Sequence, residues 1–138
     1  MSPILQSYVS LAGRILVSSI FLLSGFLKIA NWAGTAAEME RHGMPAVTFF
    51  LTAATVVEIV GGLALLLGFQ TRFAALILFL YLIPVTPVMH NFWAVTGPAQ
   101  QGQLFHFLKN LAIMGGLLLL TGFGPGWFSF DAWRRRAV

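Results

Sequence analysis

The sequence predicts an all-α integral membrane protein, a four-helix bundle with both termini cytoplasmic. Three observations carry that reading. Charged residues make up 9% of the chain and hydrophobic residues 58%, at a mean hydropathy of +0.85, whereas a soluble domain carries about 25% charged residues. The apolar residues fall into runs of transmembrane length at about 8–29, 46–67, 73–92 and 104–122, and about 20 apolar residues in a helix cross a hydrocarbon core about 30 Å thick. If the runs alternate in direction, Arg72 and Arg134 to Arg136 meet on one side, facing loops that hold only Arg41 beside Glu38 and Glu40. The positive-inside rule makes the arginine side cytoplasmic. The 138 residues suffice for one domain, 1–138.

The first run reads as a helix that stays in the membrane. Nothing basic precedes it and no small-residue cleavage site ends it before Trp32. At 100° per residue, Arg14, Ser18, Phe21, Gly25 and Lys28 share an arc of about 80°, a polar stripe toward the bundle with an aliphatic back toward lipid. Arg14 and Lys28 lie near opposite membrane surfaces, where the plainer alternative is that both snorkel to headgroups. In the loop from Asn31 to Pro45, Trp32 is placed as an interfacial anchor. Thr35 to Glu38 fits a capping box, so a short surface helix is expected there, with Glu38, Glu40, Arg41 and His42 on its solvated face.

The second run carries one ionisable residue, Glu58, near its middle. A carboxylate at mid-depth costs several kcal/mol without a partner, water or a proton, so Glu58 is expected to face the bundle interior. Gly61 and Gly62 stand beside it one turn on and let a helix or a ligand approach. Gly68 to Arg72 predicts a tight turn. The third run contains Pro84 and Pro87, which remove backbone donors and predict a kink. His90, Asn91, Phe92 and Trp93 end it. Thr96 to Gln103 reads as a loop. In the fourth run His106, Lys109 and Asn110 follow at i, i+3 and i+4, on one face. Gly124-Pro125-Gly126 breaks the helix, and Trp127 to Trp133 reads as an interfacial piece before three arginines that suit anionic lipid better than nucleic acid.

Lys28, Glu58, His90 and the Lys109–Asn110 pair, with His106, would thus converge in the outer half of the bundle. Two lysines against one carboxylate leave positive charge over, relieved by a neutral lysine, by water, or by an anionic or electron-rich ligand such as a quinone carbonyl, a quinolate or a lipid phosphate. The plain alternative is that Glu58 pairs with a lysine to fix helix register. His90 and His106 clamping a haem is a weaker alternative. With no cysteine there is no disulfide or thiolate metal site, and no metal-ligand spacing, P-loop or dinucleotide fingerprint is present.

Arg14, Gly25-x-x-Lys28, Glu58-x-x-Gly61-Gly62, Gly68-x-x-x-Arg72, His90-Asn-Phe-Trp93, Lys109-Asn110 and Gly124-Pro-Gly126 with Ser129 and Asp131 stand in an order that resembles the DoxX family of small four-helix membrane proteins. That resemblance covers nearly the whole chain. It implies kinship with a membrane subunit of a thiosulfate:quinone oxidoreductase, also described as a terminal quinol oxidase subunit, and with oxidoreductase complexes of the thiol and oxidative-stress response. The expected function is therefore an inner-membrane subunit that binds a quinone-like molecule and couples to a soluble or membrane redox partner. It would carry no redox cofactor or metal of its own. Glu58 and His90 would move the proton. Arg14, Lys28, Gly61, Gly62, His106, Lys109 and Asn110 would form the ligand site, with Lys28 and Lys109 on the carbonyl oxygens. The competing expectation is a non-enzymatic scaffold that holds a lipid or anionic metabolite. A small transporter is a third, needing the homo-oligomer that the small-residue pairs Ala64/Gly68 and Ala112/Gly116 allow.

Overall fold

A computed structural model describes residues 2–137. It is all-helical, with α1 Pro3–Ala30, α2 Trp32–Arg41, α3 Val47–Leu67, α4 Thr71–Met89, α5 Pro98–Phe123 and α6 Phe130–Arg136, plus a single 3-10 turn at Phe92–Ala94. Among the described residues, four helices are long and apolar enough to cross a membrane: α1, α3, α4 with its 3-10 extension, and α5. Large apolar side chains such as Leu16, Phe73 and Phe123 cover the outside, as expected where lipid is the solvent.

Several boundaries differ from the sequence reading for local reasons. α1 starts at Pro3 because Ser2 accepts from the Leu5 amide and proline suits the first helical position. α2 starts at Trp32, ahead of the expected capping box. Thr35 lies inside the helix and its hydroxyl donates to the Asn31 carbonyl at 3.0 Å. α4 runs through Pro84 and Pro87 and stops at Met89, with the His90 amide donating to Thr86 O. α5 starts at Pro98, inside the expected loop, behind Gly97 at φ 68°. The polar Gln100, Gln101 and Gln103 belong to its first turns.

Small residues set the helix spacing. A Cβ on Gly25 of α1 would lie 2.6 Å from Ile59 Cγ1, and one on Gly62 would lie 3.0 Å from Leu22. α1 and α3 are therefore the most closely packed pair. A Cβ on Gly61 would lie 2.9 Å from Leu78, so α4 seats on the neighbouring face of α3. α5 packs mainly on α4 and touches α1 more lightly, where Gly116 faces Val17. The core is Phe21, Ala75, Leu78 and Leu82 with Leu65, Leu117 and Leu120.

Candidate functional site

The buried residues of α1 are Ser7, Arg14, Ser18, Phe21 and Gly25, which repeats the stripe read from helical spacing apart from Ser7 and Lys28. Gly25 brings the α1 backbone against α3, so that its added Cβ would stand 3.5 Å from Glu58 Cβ. Helical side chains lean toward the N-terminus. Lys28, one turn beyond, folds back over this close approach and meets Glu58.

The Lys28 ammonium donates to Glu58 Oε1 at 3.0 Å, to Glu58 Oε2 at 2.8 Å and to Ser24 Oγ at 2.7 Å. Tyr81, on α4, donates its hydroxyl to Glu58 Oε1 at 2.7 Å. The two charged side chains are 19% and 6% exposed. An ammonium has three protons, and all three are used here. The cluster joins three helices and satisfies itself. The spare positive charge expected between two lysines and one carboxylate therefore does not fall on Lys28.

It falls on Lys109, which makes no ion pair among the described residues and is exposed on α5. Its ammonium lies 3.3 Å from His106 Nδ1. The His106 ring stacks on His90 at a centroid distance of 5.2 Å and an interplanar angle of 26°. His90, the residue that ends α4, holds Gln103 Oε1 at 2.9 Å through Nδ1. Gln103, His90, His106 and Lys109 thus form a connected polar strip between α4 and α5.

Four residues expected at the ligand site lie elsewhere or do other work. Arg14 is fully buried near the Gly68 turn, where its guanidinium donates to Leu65 O and Leu66 O at 3.3 Å each and to Phe128 O, with Nε left without a partner. It ties helices together by backbone contacts and does not reach Glu58. Gly61 and Gly62 receive Leu78 and Leu22 rather than open space for a ligand. Asn110 turns inward, away from Lys109, and donates to Thr86 Oγ1 at 3.2 Å, joining α5 to α4.

Two contributors are absent from the sequence-derived set. Tyr81 is one, and its phenol inside an otherwise aliphatic run was the available signal, since a buried tyrosine hydroxyl needs a partner. Asp131 is the other. It accepts from the Gln70 and Thr71 amides at 2.8 and 2.9 Å and from Thr71 Oγ1 at 2.9 Å, capping the start of α4 from α6.

Fold and site together define a small multi-pass inner-membrane protein, built on four spans around an intramembrane Lys–Glu–Tyr cluster. The DoxX family model matches residues 9–91, which take in Arg14, Lys28, Glu58, Tyr81 and His90, and the chain belongs to the DoxX family. It is 38% identical over 121 residues to the inner membrane protein YqjF of Escherichia coli K12, covering 88% of each chain. It is 35% identical over 121 residues to the inner membrane protein YphA of the same organism, covering 88% of this chain and 86% of that one. The ER-derived vesicles protein ERV29 of Saccharomyces cerevisiae is 29% identical over 126 residues, which are 91% of this chain and 34% of the yeast protein. No solved structure matches the chain.

Proposed function

We propose that this protein is a membrane-embedded subunit that holds an electron-rich or anionic small molecule of the quinone class at the His90–His106–Lys109 strip and works with an oxidoreductase partner. The observation that supports this reading is Lys109, an exposed cation about 8 Å inside the apolar run that begins at Leu104 and without a carboxylate partner among the described residues. Ionisable groups within a span usually serve a ligand or an ion path. The neighbouring imidazoles offer ring nitrogens that can donate or accept a hydrogen bond. In this reading Lys109 and His106 hold the carbonyl or quinolate oxygen. His90 or Glu58 moves the proton. The arginine end faces the cytoplasm, so the strip opens toward the outer leaflet.

The test is mass spectrometry of small molecules that copurify in native lipid discs, comparing wild type with Lys109→Met. A quinone enriched in wild type and lost in the variant supports the reading. A second reading, a non-enzymatic scaffold for a partner or a lipid, draws on the sparse cover of α5: 11% of its most apolar window is buried, against 22% to 28% in the other spans. Absence of a quinone from both samples would favour that scaffold.

A further inference from the structure

At the end opposite the His90 strip, α6 lies against the α3–α4 turn, fixed there by Asp131 and by a hydrogen bond of 2.9 Å from its amide to Gly68 O. A groove of about 660 Å³ opens between them, lined by Arg72, Arg134 and Arg135 together with Thr71, Asp131 and Pro125. None of the three guanidiniums makes an ion pair or a hydrogen bond among the described residues. The one carboxylate in the groove, Asp131, is already committed to the Gln70 and Thr71 amides and the Thr71 hydroxyl. Three cations against one occupied anion leave a net charge of +2 facing open space.

The other side of the same helix is apolar. Leu67, Phe69, Phe128, Phe130 and Trp133 line a second groove of about 570 Å³. Trp127 and Trp133 are 64% and 60% exposed, at the level where amphipathic rings sit between headgroups and acyl chains. α6 thus places a cationic groove on one flank and an apolar groove on the other. Guanidinium forks match phosphate oxygens two at a time, and basic pockets at the ends of spans take anionic headgroups.

We propose that α6 and the α3–α4 turn form a binding site for one anionic phospholipid, its phosphate held by Arg72, Arg134 and Arg135 and an acyl chain laid across Phe69, Phe130 and Trp133. This inference is independent of the quinone reading, because it uses none of the same residues.

The test titrates the full-length protein in detergent with dioleoyl-phosphatidylglycerol, dioleoyl-phosphatidylcholine and inorganic phosphate. Bound lipid is read by native mass spectrometry and phosphate by thermal shift. A cationic residue near a lipid surface is worth about fivefold in affinity, so Arg134→Gln should weaken phosphatidylglycerol binding about fivefold and the triple glutamine variant of Arg72, Arg134 and Arg135 about a hundredfold. Arg136→Gln is the control, since that guanidinium lies over the Trp127 ring at 4.9 Å and outside the groove. It should change binding little. Trp133→Ser should weaken the lipid while leaving the response to phosphate intact. If the triple variant fails to fold, Arg134→Gln alone decides. Equal retention of phosphatidylcholine, or an equal loss in Arg136→Gln, would mean diffuse attraction and overturn the site. Stabilisation by inorganic phosphate as strong as that by lipid would assign the groove to a free anion and overturn the lipid reading.

Discussion

The molecule handles buried charge in two ways. At the Gly68 end, Arg14 is neutralised by no side chain in contact with it. It spends its donors on the carbonyls of Leu65 and Leu66, in the last turn of α3, and of Phe128, in the segment before α6. Near the other end, Lys28 and Glu58 meet as ammonium and carboxylate, with Ser24 and Tyr81 completing the set. The first arrangement is a joint between backbone segments. The second is an exchangeable pair of side chains, and only the second can be redesigned as a unit without dismantling the chain path around it.

The sharpest way to break this contrast is to remove one charge from each arrangement. Arg14→Leu should cost about 3 kcal/mol, because the Leu66 and Phe128 carbonyls lose their donor, at about 1–3 kcal/mol for each buried acceptor left unsatisfied, and no second substitution replaces it. Thermal unfolding in detergent measures this, together with increased proteolysis after Gly124. Glu58→Leu alone should cost about 3 kcal/mol by stranding Lys28, yet the double variant Lys28→Met/Glu58→Leu should regain most of that, since a buried pair replaced by apolar groups is often neutral. Failure of the double variant to recover would erase the distinction between joint and pair.

Gly25→Ala should have the next largest effect, about 1–3 kcal/mol, since the new methyl would meet Ile59 Cγ1 at 2.6 Å and push α1 off α3. It should also loosen the Lys28–Glu58 contact, seen as faster hydrogen exchange around residues 24–28. Tyr81→Phe removes a hydrogen bond to a charged group and should cost about 1.5 kcal/mol. A ΔTm indistinguishable from zero would mean the hydroxyl takes no part in holding Glu58.

Much of this was legible in the sequence. Glu58 at mid-span had to face inward, and the 100° spacing that put Arg14, Ser18, Phe21 and Gly25 on one side of α1 is the buried face observed. What the spacing lacked was the third dimension. It did not say which lysine takes Glu58, because that depends on the Gly25 approach between two distant segments. Tyr81 escaped because Pro84 and Pro87 made the phase of its run untrustworthy. The true start of α5 escaped because glutamines outweighed the Gly97-Pro98 start signal. The three carbonyls around Arg14 have no side-chain signature at all, and one of them is 114 residues away.

That distance has a consequence for how the protein is made. Arg14 belongs to α1, while Phe128 is synthesised only after α5 is complete. Until then the guanidinium can reach at most the two carbonyls at the end of α3, and the segment that will cover it does not yet exist. The Phe128 segment therefore acts as a closing latch on α1, one that can be set only after α5 has been made.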